Sequence, residues 1–422
     1  MLKASSLMYA LTISLLIALV IGSVIMFSGF THRELQQLLL NDKGIRNSSS
    51  GITLLMGDQE IIKSGESKTL DLYGEGTDSV LLKKQNWGVF DLITSKSIQK
   101  GNAKTLMALS GSGFDSATCC ALYLEDDDKP LSVCGATLIK GHCFLPKAGI
   151  KRAYIEGENF TGSKMTEGTV ENSKKQLPEI EQALITELKT YFTGECIHAG
   201  DSVMNIDEQG LRDTVYNSFG KKTIFLISGE NIKLTNRKIG GNIVLISTKK
   251  ITISDDCSLE DVLVFAPKIE IEDGFTGNLQ VFASDSLLIG KECKLNYPSA
   301  IGVLSIVSDS VAKPNALIKD QTIIEGVVLG YQDETNEKKS LSVSIDKGVK
   351  ITGQVYCNGS LDLKGSVFGT VMCKRFVLTT SSSVYENELL DAVIDNSKLP
   401  GYFAGLALDE KKYLKKIVKW LY

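Results

Sequence analysis

Residues 245–293 read LISTKKITISDDCSLEDVLVFAPKIEIEDGFTGNLQVFASDSLLIGKEC, and their internal spacing decides the architecture. Leu245, Leu263 and Val281 are 18 residues apart at each step; so are Ile253, Ile271 and Ile289, and so are Cys257, Phe275 and Cys293. Within each unit, ITIS, IEIE and LLIG alternate with the period of two that marks a short strand with one buried face. A fixed period stacks like residues along an axis, so these nine residues form three expected interior columns. Just upstream, Leu226 to Leu245 and Leu234 to Ile253 give steps of 19, one extra turn residue. Toward the C-terminus, Val349, Val355, Leu361 and Val367 recur every six residues, with Ile351, Cys357 and Leu363 two places behind. A coil of 18 is therefore three sides of six, the triangular coil of a parallel β-helix. Gly353, Gly359, Gly365 and Gly369 fall at or near its corners, where positive φ or close backbone approach suits glycine.

The composition fits such a body. The 422 residues are 43% hydrophobic, with 38 glycines against 7 prolines, which means many tight turns and no proline-rich linker. A net charge of −4 gives no electrostatic basis for binding nucleic acid. Ala4 to Thr31 contains no charged residue, and Leu7 to Phe30 exceeds the roughly 20 apolar residues that cross a bilayer. The apolar core of a cleaved signal is shorter, roughly 7–15 residues, and ends in a small-residue site that is missing here. The reading is an uncleaved single-pass anchor in the inner membrane through residues 7–30. A short tail lies in the cytoplasm, and the C-terminal body is periplasmic or extracellular.

The chain divides as follows. Residues 1–31 are the tail and anchor, and 32–74 are a stalk with its flexible point at SSSG (Ser48–Gly51). Residues 75–170 are a β-rich start of the solenoid. Residues 171–220 are a helical insertion whose segment PEIEQALITELKTYF sets Ile180, Leu184, Leu188, Tyr191 and Phe192 on one helical face. Residues 221–386 are the regular β-helix, with its register lost between Pro314 and Ser340 around the charged run DETNEKK. Residues 387–422 are a C-terminal cap whose basic tail KKYLKKIVKWLY reads as a short helix docked on the last coil, lysines in solvent.

Nine cysteines lie beyond the membrane in this topology, where disulfides are permitted. Cys119 or Cys120 could bond to Cys134 or Cys143, whereas Cys257 and Cys293 share phase with Phe275 and read as interior fillers. Cys357 and Cys373, about one coil apart, also read as packing. His142 with Cys134 and Cys143 lacks a standard zinc spacing. Glu125–Asp128 reads as a turn leading into Lys129-Pro130. The run Gly111–Ser116 has neither a phosphate-loop lysine nor a nucleophile elbow. None of the three histidines, His32, His142 and His198, lies in the regular coils, as a β-helix acyltransferase would need. Asp255, Asp273 and Lys291, at equal phase, read as turn residues and not as a polysaccharide-cleaving face. No catalytic, cofactor-binding or metal-binding residue is expected, and no cofactor.

The coils from about Asn242 to Tyr385, above all GVKITGQVYCNGSLDLKGSVFGTVMC, resemble the bactofilin type of polymer-forming β-helix. That resemblance implies a scaffold that associates through its coils, and it carries over no catalytic residue. The N-terminus, MLKASSLMYALTISLLIALVIGSVIMFSGF, resembles the anchors of type IV pilin-like minor subunits and pseudopilins. It departs from them in having Ala4-Ser5 in place of a Gly-Phe junction and no glutamate in the span. PLSVCGATLIKGHCFLPKAGIKRAYIEG and DNSKLPGYFAGLAL resemble uncharacterised envelope proteins of the Bacteroidota. The expectation is a non-enzymatic, membrane-anchored envelope protein, a scaffold or assembly component of a pilus-like or secretion system. Its partners would be other envelope proteins or further copies. The alternatives are a carbohydrate-binding or carbohydrate-active surface protein and a minor pilin-like subunit processed at its N-terminus.

Overall fold

The computed structural model describes residues 4–57, 61–74, 76, 78–99, 102–113, 119–198, 200–305, 313–333, 340–408 and 415–421. The fold is mainly β, and it separates into two compact units, Met1–Lys84 with Ile93–Leu106 and Gln85–Leu92 with Met107–Tyr422.

The first unit is built on one helix, α1 (Ala4–Gly57), with antiparallel strands β1 (Ser67–Leu70) and β2 (Asp78–Trp87), and parts of β3 (Phe90–Gln99) and β4 (Asn102–Gly113). The expected stalk is, as far as Gly57, the continuation of the apolar N-terminal helix, and SSSG is its most closely packed point instead of a flexible one. Ser48 is fully buried, donating its hydroxyl to Lys104 O at 2.8 Å and accepting from Ser97 N at 3.3 Å. A Cβ on Gly51 would overlap the Ser95 hydroxyl and lie 2.7 Å from Leu82 Cδ2. Serine and glycine, which read as a loop in isolation, here let a helix lie almost on the strand backbone. Asp78 fixes the seam, accepting from Gln99 Nε2 at 3.1 Å and pairing with Lys43 Nζ at 2.6 Å.

The second unit is the parallel β-helix. Its isoleucine column runs further than the sequence period shows: Ile253, Ile271, Ile289, Ile318, Ile345 and Leu363 are successive in-register neighbours. Cys257, Phe275 and Cys293 are interior as expected. The third column is corrected. Leu245 pairs with Val264, Val264 with Val281, and the column continues through Ile301, Val328, Val355 and Val371. Leu263 faces outward, because a bulge at Asp261 (φ 58°) inserts one residue between Glu260 and Val262, and a compensating shift after Ala266 restores the step of 18 at Ile271 and Ile289. The register is also kept between Pro314 and Ser340. Asn315–Ile318 and Ile323–Gln332 stay in the stack, and the coils are longer, 29 residues from Ile289 to Ile318 and 27 from Ile318 to Ile345. Most of DETNEKK lies outside the described residues.

At one corner Gly326, Gly353 and Gly369 stack in register with φ of 152°, 148° and 155°. A Cβ on Gly353 would overlap the Gly326 carbonyl oxygen, so the corner is closed to any side chain.

The β-rich segment before the insertion belongs to the solenoid from residue 120 onward, but at its far end. Cys120–Leu124 pairs with Val371–Cys373, and Glu388–Leu390 and Val393–Asp395 supply the other sides of that coil, so one coil is made of two segments distant in sequence. His142–Leu145 and Val170–Asn172 stack beyond it. The chain then returns to the opposite end, where Ser202–Asn205 pairs with Ile224–Ser228. The return segment crosses an outward apolar ladder made of Ile246, Phe265, Phe282, Gly302, Leu329, Tyr356, Met372 and Tyr123. Tyrosine hydroxyls hold it there: Tyr123 donates to Gln176 O and Tyr356 to Pro178 O, both at 3.1 Å. Helix α2 (Gln182–Thr193) follows, its Tyr191 ring stacked on Phe265 at 4.4 Å. The insertion is thus the strap that joins the two ends, and Ile180, Leu184, Leu188 and Tyr191 are buried on it as the spacing predicts.

Candidate functional site

The first candidate is the exposed part of α1. Among the described residues it is the one helix long and apolar enough to cross a membrane, and its most apolar stretch touches nothing in the protein. Thr12, Ser14, Ser23 and Thr31 donate their hydroxyls to carbonyls one turn back, which satisfies these polar groups within the helix itself. Above the uncharged run, Leu35, Leu38, Leu39 and Ile45 are all at least half exposed, while Gly44, Ser48, Gly51 and Leu55 form the buried stripe. The helix therefore carries an open apolar stripe past the anchor.

The second is the outward side of the coils, covered by three segments. The strap is one. The hairpin tip 85–92 is another, held by Gln280, whose Oε1 accepts from Val89 N and whose Nε2 donates to Trp87 O, both at 2.8 Å. The third is the 403–408 segment, where Gln354 Oε1 accepts from Leu406 N at 2.8 Å. The glutamines share one outward column with Leu263, Ala300 and Val327; Gln280 offers both donor and acceptor, as a strand neighbour would, and Gln354 offers its acceptor. A glutamine recurring among apolar residues of one phase is the sequence signal that would have revealed them.

The solenoid ends are filled by the chain itself. Met204, Ile206, Leu211 and Val215 pack on the interior at one end, and Ile150, Phe160 and Met165 at the other, with the Arg152 guanidinium over the Phe160 ring. Such caps keep a stack from growing.

The cysteine expectations resolve into packing. None of the nine cysteines is in a disulfide. Cys119 faces the Thr370 hydroxyl at 3.0 Å, Cys120 is buried in the outward apolar cluster, Cys134 donates to Glu158 O, and Cys143 sits next to Leu122 in an interior column. Burial pushes the Cys143 and Cys357 thiols up to about 12, which leaves them protonated and unreactive. His142 meets the Thr169 hydroxyl and lies 3.6 Å from Glu171. Among the described residues no group of three or more His, Cys, Asp or Glu is placed to hold a metal ion. The acidic run at 125–128 is a turn: Asp126 and Asp127 accept backbone N–H groups two residues on, and Asn387 donates to Asp127. Asp273 likewise caps Lys291 N at 2.8 Å. Of the Gly111–Ser116 run, the last three residues lie outside the described ones.

The tail is corrected from helix to strand. Lys415–Leu421 runs antiparallel to β4, from Lys415 opposite Ser112 to Leu421 opposite Met107. Its lysines are engaged: Lys415 with Asp91 at 2.9 Å, Lys419 with Asp261 at 2.7 Å and Glu260 at 3.1 Å, and Lys416 with Gly401 O.

No known protein family and no curated protein matches the chain. Among solved structures, the competence-associated pilin ComZ from Thermus thermophilus is similar at 10% identity, over 84% of this chain and 86% of its own, with a TM-score of 0.24.

Proposed function

We propose that the chain is a non-enzymatic, membrane-anchored envelope protein, a scaffold or assembly component of a pilus-like or secretion machine, with its β-helix beyond the membrane. The observation that supports this is α1: 54 residues of unbroken helix, about 80 Å at ~1.5 Å per residue, whose first half is apolar and bare and whose last turns, from Gly44, are packed on strands. Such a rod fixes a folded body to a bilayer and offers its own bare stripe to neighbours. In this reading, partners meet the protein along Leu35, Leu38 and Leu39, since the filled coil ends favour a solenoid that is displayed over one that polymerises.

The test places a photoreactive phenylalanine at position 38 of the full-length protein in its native membrane. The expected result is a chain that resists alkaline carbonate extraction and cross-links through position 38 to another copy or to a second membrane protein. Release by carbonate, or no cross-link at any expression level, overturns the reading. The same helix supports a minor pilin-like subunit as a second reading, and the intact mass of the native N-terminus separates the two. Loss of residues 1–4 favours the pilin-like subunit, and an intact Met1 favours the plain anchor.

A further inference from the structure

Asp261 is where three separate elements of the second unit meet. It is the inserted residue of a bulge, held at φ 58°, a conformation that non-glycine residues rarely adopt. Its carbonyl accepts the Trp87 indole N–H at 3.2 Å, and its carboxylate takes Lys419 Nζ through Oδ2 at 2.7 Å, while the buried Oδ1 has no partner. The C-terminal strand is irregular at the matching place, with its register against β4 shifting between Ile417 and Lys419. Two bulges thus face one another, each giving up ladder hydrogen bonds to aim one side chain. The rest of the strand is held lightly. From Lys415 to Trp420 it is half-buried or exposed, Leu421 alone is buried, and the fastenings at either end are the Lys415–Asp91 and Lys419–Asp261 pairs.

We propose that the C-terminal strand is a detachable clasp, with Lys419 on Asp261 as its fastening, that holds the 85–92 hairpin tip and the end of β4 onto the coils. Detaching it loosens the tip, which then rests on the two Gln280 hydrogen bonds, without unfolding the solenoid, because none of the interior columns draws a residue from the strand.

The protein carries its own reporters, since its two tryptophans, Trp87 and Trp420, both belong to this junction. In full-length protein in detergent with Trp420→Phe, emission reports Trp87 alone, which is 3% exposed when the clasp is closed. Lys419→Met should raise acrylamide quenching of Trp87 several-fold and shift its emission to the red, and Lys419→Arg, which keeps the pair, should restore both. The far-UV thermal transition of the coils should not move. The proposal is overturned if quenching is unchanged in Lys419→Met and in a chain ending at Leu408. It is equally overturned if the coil transition collapses together with the tryptophan signal, which would make the strand part of the core.

Discussion

The interior of the β-helix and the seam between α1 and its strands are both buried, yet they are held by opposite means. The coils stack large apolar residues in register, with five successive isoleucines in one column, and gain from apolar area removed from water. The seam of the first unit adds to its buried Ile52, Leu55 and Leu82 a line of small residues, Gly44, Ser48, Gly51, Ser95 and Ser97, which bury little apolar area and gain instead from close approach and from the hub at Asp78. The first arrangement tolerates insertions at corners, since each coil repeats the same contact. The second tolerates no added atom on the helix, but it leaves the rest of the helix free to serve another surface.

The sharpest way to break the coil side of this comparison is Gly353→Val. The positive φ and the overlap with the carbonyl below should cost about 4 kcal/mol or more, read as loss of folded soluble protein and of the cooperative far-UV transition. Ile289→Ala, in mid-column, should cost about 2–5 kcal/mol in urea unfolding of the same transition, because the stacked neighbours cannot collapse into the gap. Gly51→Leu tests the other side. It should destabilise the seam by about 1–3 kcal/mol, seen as faster hydrogen exchange in residues 78–84 and 93–99, with the coil transition unmoved. Asp78→Asn, which leaves Lys43 without its partner charge, should cost about 1 kcal/mol in the same exchange measurement, and less at high salt. The smallest effect concerns a charge placed on the coils. Burial raises Asp362 above the ordinary aspartate value, so the native state holds its proton more tightly than the unfolded chain. Stability from the protonated form is complete below the usual ~3.9 and is lost as pH rises through the raised native value. Asp362→Asn should flatten that part of the stability–pH curve, and an unchanged slope would show that Asp362 does not titrate differently in the fold.

The coils were legible because stacking forces like residues to recur, and Ile253, Ile271 and Ile289 needed no further information. The misplacement of Leu263 marks the limit of that argument: a single bulge at Asp261 changes which neighbour faces inward, and nothing in an 18-residue spacing reports it. Ser48–Gly51 misled because small polar residues signal a loop unless a strand lies against them. The C-terminal strand misled because its apolar and lysine residues suit a helix as well as a bulged strand, and only β4 decides between them. Gln280 and Gln354 are legible only as polar residues recurring at one apolar phase, and their partners, main-chain atoms of distant segments, leave no trace in local pattern.

The coil shared by residues 120–124 and 388–395 has a consequence for how the protein is made. A chain made from its N-terminal end presents residues 120–172 long before the strand at 366–379, on which they dock, has arrived. Until then those short strands carry open edges of unpaired main chain, the kind of surface that captures stray strands. Completion of the chain through residue 395 is what ends this exposure, so the protein is born with a vulnerable interval whose length is set by the time taken to make its own middle. A chain truncated anywhere before the last coil would keep those edges open for its lifetime.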